Sequence, residues 1–249
     1  MIAASSKGIG LAIAKILANE GCLISMCARD ELNLEAAAAQ VSEEARSYVV
    51  DVAQKDDLEW WYEQTVQDLG PVQILVTNTG GPPAGTLNGM TDEQWLGGVD
   101  STLMNVIRLT RLVSPGMAEL GWGRIVHITS LVAKEPNPVL PISSTIRAGL
   151  MALTKLQAAE LGPVGVTVNS VLPGHTLTDR QRHLAEIRAE KEGVDVEEAL
   201  RRQGAMSPIG RLAEPEEIAS VVAFLASMPA SYVNGVSLLV DGGVTHGLG

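Results

Sequence analysis

The chain alternates short apolar runs with longer segments in which apolar residues recur every three or four positions. Runs at 23–28, 46–50, 74–77, 124–129, 166–172 and 236–240 have the length of buried strands. The helical period is clear near the first glycines, where Ile9, Ile13 and Ile16 share one face with Leu17. Strands that alternate with helices predict an α/β fold built on a buried parallel sheet.

The segments between these runs predict helices at 31–41 and 55–68, and one long helix at 91–117. The segment 179–206 is polar and rich in charge, and we expect it to form most of a substrate lid at 175–206. Its basic residues Arg180, Arg182, His183 and Arg188 could meet an anionic substrate, but a solvated helix face is the favoured interpretation. Repeats, low-complexity segments and linkers are absent from the sequence, so 1–249 is predicted to be one domain.

Composition narrows the class of protein. The 249 residues are 46% hydrophobic, enough for one large core, and their formal net charge of −11 argues against nucleic acid or anionic membranes as partners. Because no signal peptide or long apolar run is present, we expect a cytoplasmic protein. Cys22 and Cys27 are predicted to lie on one strand, roughly 16 Å apart and too far for a disulfide. The four histidines show no metal-ligand spacing.

The segment 3–10, AASSKGIG, is predicted to be a turn that leads into a helix. Gly8 and Gly10 let the backbone approach a ligand, and the N-terminus of a helix offers unpaired N–H groups to a phosphate. Tight packing of the helix on the sheet is the alternative explanation for these glycines.

A second candidate site follows the strand at 124–129, which ends on Thr129-Ser130. After a proline-rich connection, a helix opens through Ser143 and Arg147, which share a helix face because they are four residues apart. In open α/β sheets the ligand crevice lies outside the carboxyl ends of the strands. We therefore predict that Ser130, Ser143 and Arg147 point toward one site.

This second segment resembles the active-site segment of the short-chain dehydrogenase/reductase family, in particular its 3-oxoacyl-[acyl-carrier-protein] reductase-like members. In that family a strand-end Ser is followed thirteen residues later by Tyr-x-x-x-Lys, and Ser130 and Ser143 have this spacing. Ser143 stands in place of the Tyr, and Arg147 in place of the Lys. The family's active-site Asn corresponds to Thr102, which is the third departure among the four catalytic positions.

The resemblance covers essentially the whole chain. It implies a doubly wound, Rossmann-type parallel sheet of about seven strands with helices on both faces and a truncated first strand, in a homodimer or homotetramer. Ala4 replaces the first glycine of the family's turn, so we expect that turn to be slightly displaced. The positions that the resemblance assigns to cofactor binding are Ser6, Lys7, Gly8, Ile9, Gly10, Arg29, Asp51, Val52, Asn78, Gly80, Arg147, Pro173, Gly174 and Thr178.

Two cations favour NADP(H) over NAD(H). Arg29 follows the strand at 23–28, where dinucleotide folds place an acid for the ribose 2′-hydroxyl or an Arg for a 2′-phosphate, and Lys7 lies in the glycine turn. Asp30 is predicted to cap the next helix instead of binding ribose. An ordinary surface charge is the alternative for Arg29.

The function implied by the resemblance is NADP(H)-dependent reduction of a small carbonyl compound, or oxidation of an alcohol, in a non-standard site. A Tyr beside a cation can give up a proton near neutral pH, whereas a Ser is a far weaker acid and an Arg keeps its proton. The three tyrosines are expected to lie far from the pocket. His175, or a water between Ser130 and Ser143, is the remaining candidate for the proton source.

Two other functions are compatible with the same residues. The replaced positions Thr102, Ser143 and Arg147 are also expected of a catalytically silent relative that binds the cofactor or acts as an assembly partner. A lyase or isomerase could instead use Arg147 to bind a carboxylate or an enolate.

Overall fold

The computed structural model describes residues 1–247, and the strands pair in parallel throughout this part of the chain. The strands are β1 (Ser25–Ala28), β2 (Arg46–Val49), β3 (Ile74–Thr77), β4 (Gly123–Ile128), β5 (Val166–Pro173) and β6 (Ser237–Val240). The helices are α1 (Gly8–Asn19), α2 (Glu31–Ala38), α3 (Lys55–Leu69), α4 (Asp92–Gly98), α5 (Asn105–Leu120), α6 (Pro141–Leu161), α7 (Asp179–Glu192), α8 (Val196–Gly204) and α9 (Pro215–Ala226).

Residues 1–3 occupy the place of the first strand. Strands β1 and β2 form one pair and β3 to β6 form a second group, and Ile2 makes a parallel bridge to each of them, with Met26 and with Val76. The Ile2 N–H donates to the Ser25 carbonyl at 2.9 Å, and the Ala3 N–H donates to the Val76 carbonyl at 3.0 Å. The sheet order is therefore β2-β1-Ile2-β3-β4-β5-β6, which confirms the doubly wound fold and the short first strand.

The core lies on both faces of this sheet, as a doubly wound fold requires. On one face α1 packs against α9, and Ile13 and Val222 are fully buried between them and the sheet. On the other face α3 and α5 pack against the sheet through Trp61 and Leu109. Strands β4 and β5 are buried along their whole length, so their carboxyl ends are held rigidly.

The prediction of one regular helix at 91–117 is wrong in its middle. The chain instead forms α4, a π-helical segment at Val99–Met104, and then α5. At the junction the Asn105 backbone N–H donates to the Asp100 carbonyl. The side-chain Nδ2 of Asn105 donates to the Ser101 carbonyl at 2.7 Å. The Asn105 side chain thus occupies the Ser101 carbonyl, to which the Asn105 backbone N–H would donate in a regular α-helix. The periodicity of apolar residues does not reveal this competition.

The prediction that Cys22 and Cys27 share one strand is also wrong, since β1 begins at Ser25 and Cys22 precedes it. Both thiols are free. No helix within residues 1–247 is long and apolar enough to cross a membrane.

The segment expected to be a lid forms the helices α7 and α8, which contact each other through a small apolar cluster of their own. The cluster consists of Ala185, Ala189, Ala199 and Leu200. Thr178 caps α7 by accepting from the Gln181 N–H, and Asp195 caps α8 by accepting from the Glu198 N–H. These helices therefore form a distinct layer over the carboxyl ends of the strands.

Candidate active site

The crevice lies where the sheet order reverses, at the carboxyl ends of Ile2, β3, β4 and β5. On one side of it the glycine turn leads into α1, whose N-cap residue Lys7 makes no side-chain hydrogen bond to the helix. The first N–H groups of α1 are therefore without a capping side chain, as an anion site at a helix N-terminus requires. A Cβ on Gly10 would overlap the Ala4 carbonyl oxygen, so this turn closes only around a residue that lacks a side chain.

Ala4 adopts a backbone that favours glycine. Its φ of 48° lies in the left-handed region, and it is the one residue other than glycine within 1–247 that has a positive φ. The turn keeps its shape because Ser5 Oγ donates to the Ile2 carbonyl at 2.9 Å and Asn78 Nδ2 donates to the Ala4 carbonyl at 3.2 Å. Asn78 thus supports the turn from the end of β3.

The two cations that predict NADP(H) binding lie at separate places, Arg29 after β1 and Lys7 in the glycine turn. Arg29 follows β1 and is exposed, whereas Asp30 caps α2 by accepting from the Asn33 N–H at 2.9 Å, as predicted. Lys7 forms an exposed ion pair with Asp179, at the start of α7, with 3.0 Å between Nζ and Oδ2. Lys7 therefore contacts the helical layer in this structure, while Arg29 is the cation that stands clear at the end of its strand.

The remaining predicted cofactor positions also line this edge of the sheet. Asp51 and Val52 follow β2, and the Asp51 carboxylate accepts from the Ala53 N–H at 3.0 Å. Pro173 ends β5, and Gly174 packs so closely on Asp241 that a side chain would not fit. A Cβ on Gly8 would lie 3.2 Å from Thr178 Cγ2, so the glycine turn meets the start of the helical layer. The structure brings the two ends of the predicted cofactor set together.

Ser143 and Arg147 form one hydrogen-bonded unit at the start of α6. The Arg147 Nε donates to Ser143 Oγ at 3.1 Å, and Arg147 Nη1 donates to the Ile128 carbonyl, at the end of β4, at 3.1 Å. Ser143 and Arg147 are 7% and 6% exposed, so both are held in the protein interior. Ser130 Oγ lies two residues beyond β4 and accepts from the Val132 N–H at 3.3 Å. The predicted trio is therefore gathered around the end of β4.

The charge at this site is positive and poorly solvated. Burial lowers the pKa of Arg147 to about 10, and the nearby charge of Arg180 adds to this effect. Arg180 was expected on a solvated face, which is wrong, because it is half-buried and its Nη2 donates to the Pro82 carbonyl at 2.9 Å. Arg182, two residues further along α7, is exposed and forms an ion pair with Glu197, as the interpretation of a solvated helix face predicts.

Thr102, at the position of the family's Asn, lies on the π-helical segment and is 1% exposed. It lines a narrow crevice with Thr77, Asn78 and Asn105. Two polar atoms in this crevice, Thr102 Oγ1 and Asn105 Oδ1, make no hydrogen bond within residues 1–247. Buried polar atoms are normally satisfied, so these two oxygens are exceptions, and the crevice beside them is too narrow to hold a water molecule.

The tyrosines lie away from this site. Tyr48 on β2 donates to Asp68 Oδ2 at 2.8 Å, Tyr62 packs beside the α3 core, and Tyr232 is fully exposed before β6. His175 contacts the helical layer instead of the serines, since its Nε2 accepts from Gln203 Nε2 at 2.6 Å. Burial and the charge of Arg188 lower the pKa of His175.

Sequence reasoning missed three contributors to the site. The π-helical segment that presents Thr102 depends on one side-chain hydrogen bond, and the buried position of Arg180 depends on how α7 folds back over the sheet. Gly81 has a φ of 80°, and a Cβ built on it would lie 3.6 Å from Arg147 Nη2. Only the double glycine at 80–81 was a signal for this last feature. Within 1–247, no group of three or more His, Cys, Asp or Glu could hold a metal ion.

Comparison with known proteins agrees with this architecture. The family model described as enoyl-(acyl carrier protein) reductase matches residues 3–245. The 3-oxoacyl-[acyl-carrier-protein] reductase FabG of Pseudomonas aeruginosa is 35% identical, over 98% of this chain and 96% of its own length. The enzyme of the same name from Escherichia coli (strain K12) is 33% identical, over 98% of this chain and 96% of its own length.

Solved structures lead to the same family. The L-sorbose reductase from Gluconobacter frateurii, complexed with NADPH and L-sorbose, superposes with a TM-score of 0.95 at 34% identity, over 99% of this chain and 96% of that one. An actinorhodin polyketide ketoreductase solved with NADPH has a TM-score of 0.95 at 35% identity, with the same two coverages. The resemblance found in the sequence is confirmed, and the chain belongs to the short-chain dehydrogenase/reductase family of oxidoreductases.

Proposed function

We propose that this protein is an NADP(H)-dependent reductase of carbonyl compounds that works without the family's Tyr and Lys. The observation that carries this proposal is the convergence of an uncapped, glycine-lined helix N-terminus and the Ser130, Ser143 and Arg147 cluster on one crevice at the end of β4. The sorbose reductase and the polyketide ketoreductase, both solved with NADPH, are relatives with this architecture.

The residues present suit a dinucleotide. The N–H groups at Gly8 to Gly10, together with Thr178, would hold the pyrophosphate. The turn that presents these groups requires a glycine at position 10, since a Cβ there would overlap the backbone of the turn. Arg29 would bind the 2′-phosphate, and Lys7 can also bind it once the ion pair between Lys7 and Asp179 is broken. Other contacts come from Ser6, Ile9, Asp51, Val52, Asn78, Gly80, Pro173 and Gly174. The bound nicotinamide supplies the hydride that a carbonyl carbon accepts.

The chain's own residues would stabilise the oxygen of the carbonyl. Because Arg147 Nε donates to Ser143 Oγ, the hydroxyl hydrogen of Ser143 is free to point at the substrate oxygen, beside that of Ser130. The buried charge of Arg147 favours negative charge on that oxygen, since a preorganised cation acts strongly where water is excluded. Arg147 itself keeps its proton at neutral pH because its pKa is about 10. The proton must therefore come from water.

A catalytically silent, cofactor-binding protein is the second candidate function. The observation that favours it is the mutual hydrogen bond between Ser143 and Arg147, a pair that lacks a side chain able to pass a proton near neutral pH. The two functions share the cofactor and differ only in turnover.

The first experiment is a titration with NADPH and with NADH, followed by nicotinamide fluorescence. We expect tighter binding of NADPH, and Arg29→Ala should raise its Kd about tenfold while the Kd of NADH changes little. Arg46→Ala is the matched control, since Arg46 is exposed and its guanidinium bonds only to neighbouring carbonyls. Equal binding of both cofactors, or binding of neither, would contradict the proposal.

The second experiment measures NADPH oxidation with a panel of aldehydes and ketones. We expect Ser143→Ala to lower kcat on any active compound by about 10²-fold, the effect of one oxyanion donor. Thr145→Ala, an exposed change on the same helix, should leave the rate unaltered. NADPH binding without turnover of any compound would support the silent function instead.

A further inference from the structure

Two arginines approach the turn at Gly81-Pro82 from opposite elements. Arg180, on α7, donates to the Pro82 carbonyl at 2.9 Å. Arg147, on α6, has its Nη2 3.6 Å from the position that a Cβ on Gly81 would occupy. Because Gly81 has no side chain, the backbone of this turn lies beside the Arg147 guanidinium with room for no more than a methyl group between them.

Neither arginine has a carboxylate partner within residues 1–247. The hydrogen bonds of Arg147 go to the Ser143 hydroxyl and the Ile128 carbonyl, and that of Arg180 goes to the Pro82 carbonyl. The two charges are near enough that Arg180 contributes to lowering the pKa of Arg147. A buried cation without a counter-charge is costly, and a second cation beside it increases that cost.

Three other arginines of the helical layer show the usual arrangement, whereas Arg188, which is half-buried on α7, makes no ion pair within residues 1–247. Arg182 pairs with Glu197, and both Arg201 and Arg202 pair with Glu198, all at the surface. In a chain of net charge −11, carboxylates are abundant, and yet within residues 1–247 none pairs with the buried Arg147 or the half-buried Arg180. The missing negative charge is consistent with a ligand that brings it.

We propose that the substrate is an oxo acid whose free carboxylate binds between Arg147 and Arg180, beside the Gly81-Pro82 turn. A carboxylate suits this place because two guanidinium groups can each give it charge-assisted hydrogen bonds. This inference rests on the proposed function and gives its substrate class. The reaction converts the oxo acid, NADPH and one proton into the hydroxy acid and NADP⁺. A C–H bond would form at the carbonyl carbon as a C–H bond of the reduced nicotinamide and the C=O π bond break. Water would give a proton to the oxygen, the hydroxide left would take up the proton from solution, and the carboxylate would be unchanged.

The kinetic test compares acids with their own esters. We expect acetoacetate or pyruvate to be reduced with a kcat/KM at least about tenfold above that of its methyl ester, because the ester lacks the charge. Arg180→Gln should raise the KM for the acid about tenfold and leave the ester unchanged. Arg182→Gln, one surface arginine of the same helix, should alter neither. An ester that reacts as well as its acid would overturn the inference while leaving carbonyl reduction intact.

A binding test separates this inference from turnover. The probe is 3-hydroxy-3-methylbutanoate, a tertiary alcohol that cannot be oxidised at its carbinol carbon, titrated calorimetrically into the protein saturated with NADP⁺. We expect binding of the acid, none of its methyl ester, and loss of acid binding in Arg180→Gln. Such binding without reduction of any oxo acid would retain the anion site and reject the reductase. If Arg180→Gln weakens NADP⁺ itself to the same extent, the two arginines serve the cofactor phosphates and the inference fails.

Discussion

The glycine turn and the reaction centre face the same crevice, and they respond differently to a changed sequence. In the turn, Ala4 replaces a glycine of the family pattern and the backbone still closes, with Ala4 held at φ 48°. In the proposed reaction centre, Ser143 and Arg147 stand where the resemblance places the family's Tyr and Lys, and they are joined by a hydrogen bond. A site made of main-chain N–H groups keeps its binding groups when a residue is substituted, at the cost of some backbone strain. A site made of side chains instead changes its chemical groups with each substitution.

The largest effect is expected from restoring the family pair. The double variant Ser143→Tyr, Arg147→Lys regains a group able to donate a proton, so NADPH oxidation with neutral ketones should rise about 10²–10⁴-fold. A continuous assay that follows the loss of NADPH absorbance would measure this increase. The Kd for NADPH and the thermal midpoint serve as checks that the variant folds. A folded, cofactor-binding variant without the gain would mean that the crevice differs in more than its acid.

A side chain in the glycine turn should weaken binding of the cofactor. Gly10→Val places atoms where the Ala4 carbonyl lies, so the Kd for NADPH should rise about a hundredfold, equivalent to about 2.7 kcal/mol. Gly116→Ala is the control, because a Cβ there meets nothing within 4 Å. Fluorescence titration measures both. Unchanged affinity in Gly10→Val would show that the phosphates bind elsewhere.

The buried residue His127 should make the free energy of unfolding depend on pH, separately from any effect on activity. Burial lowers the pKa of His127 from 6.5 to about 4, and its ring bonds to Thr77 Oγ1 at 2.8 Å and Gln157 Oε1 at 2.9 Å. The unfolded chain then binds more protons than the folded one between these two pKa values. Stability should therefore fall as pH drops from 6.5 toward 4, by up to about 1.4 kcal/mol per pH unit.

Urea unfolding at several pH values measures this dependence. His127→Gln should be less stable at pH 7 and should show a shallower decline through the acid range, while His183→Gln, an exposed control, should follow the unmodified protein. An equally steep decline in His127→Gln would assign the acid sensitivity to other groups.

The smallest effect is expected at Ala4. Ala4→Gly removes a strain of about 1–2 kcal/mol but gains flexibility in the unfolded chain, so the net stabilisation should be about 1 kcal/mol and the thermal midpoint should rise by about 2–4 °C. Calorimetry measures the midpoint. A fall in stability would show that the backbone at Ala4 is relaxed despite its positive φ.

Much of the fold could be predicted from the sequence, because strands that alternate with helices have few ways to pack. The parallel sheet follows from that alternation, its doubly wound order from the family resemblance, and the placing of Ser143 beside Arg147 from the spacing along α6. The resemblance added the cofactor positions, and the comparison with relatives confirms the family. What was predicted well depends on backbone periodicity.

What was missed depends on single side chains or on long-range contact. The π-helical turn at Thr102 follows from one amide of Asn105, which looks like any other polar residue in a helical pattern. Arg180 reads as a surface charge in the sequence, and only the fold of α7 over Pro82 withdraws it from water. Neither feature has a period, so local patterns carry no signal for it.

The ion pair between Lys7 and Asp179 joins the glycine turn to the helical layer across the mouth of the crevice. Both side chains are about two-thirds exposed, at 68% and 69%, and pairs of this kind contribute under about 1 kcal/mol in water. Lys7 can therefore exchange one negative partner for another at little energetic cost. An arriving phosphate would then release α7 from the turn in the same step in which it becomes bound, and added salt, by screening this pair, would favour the released layer before any ligand is present.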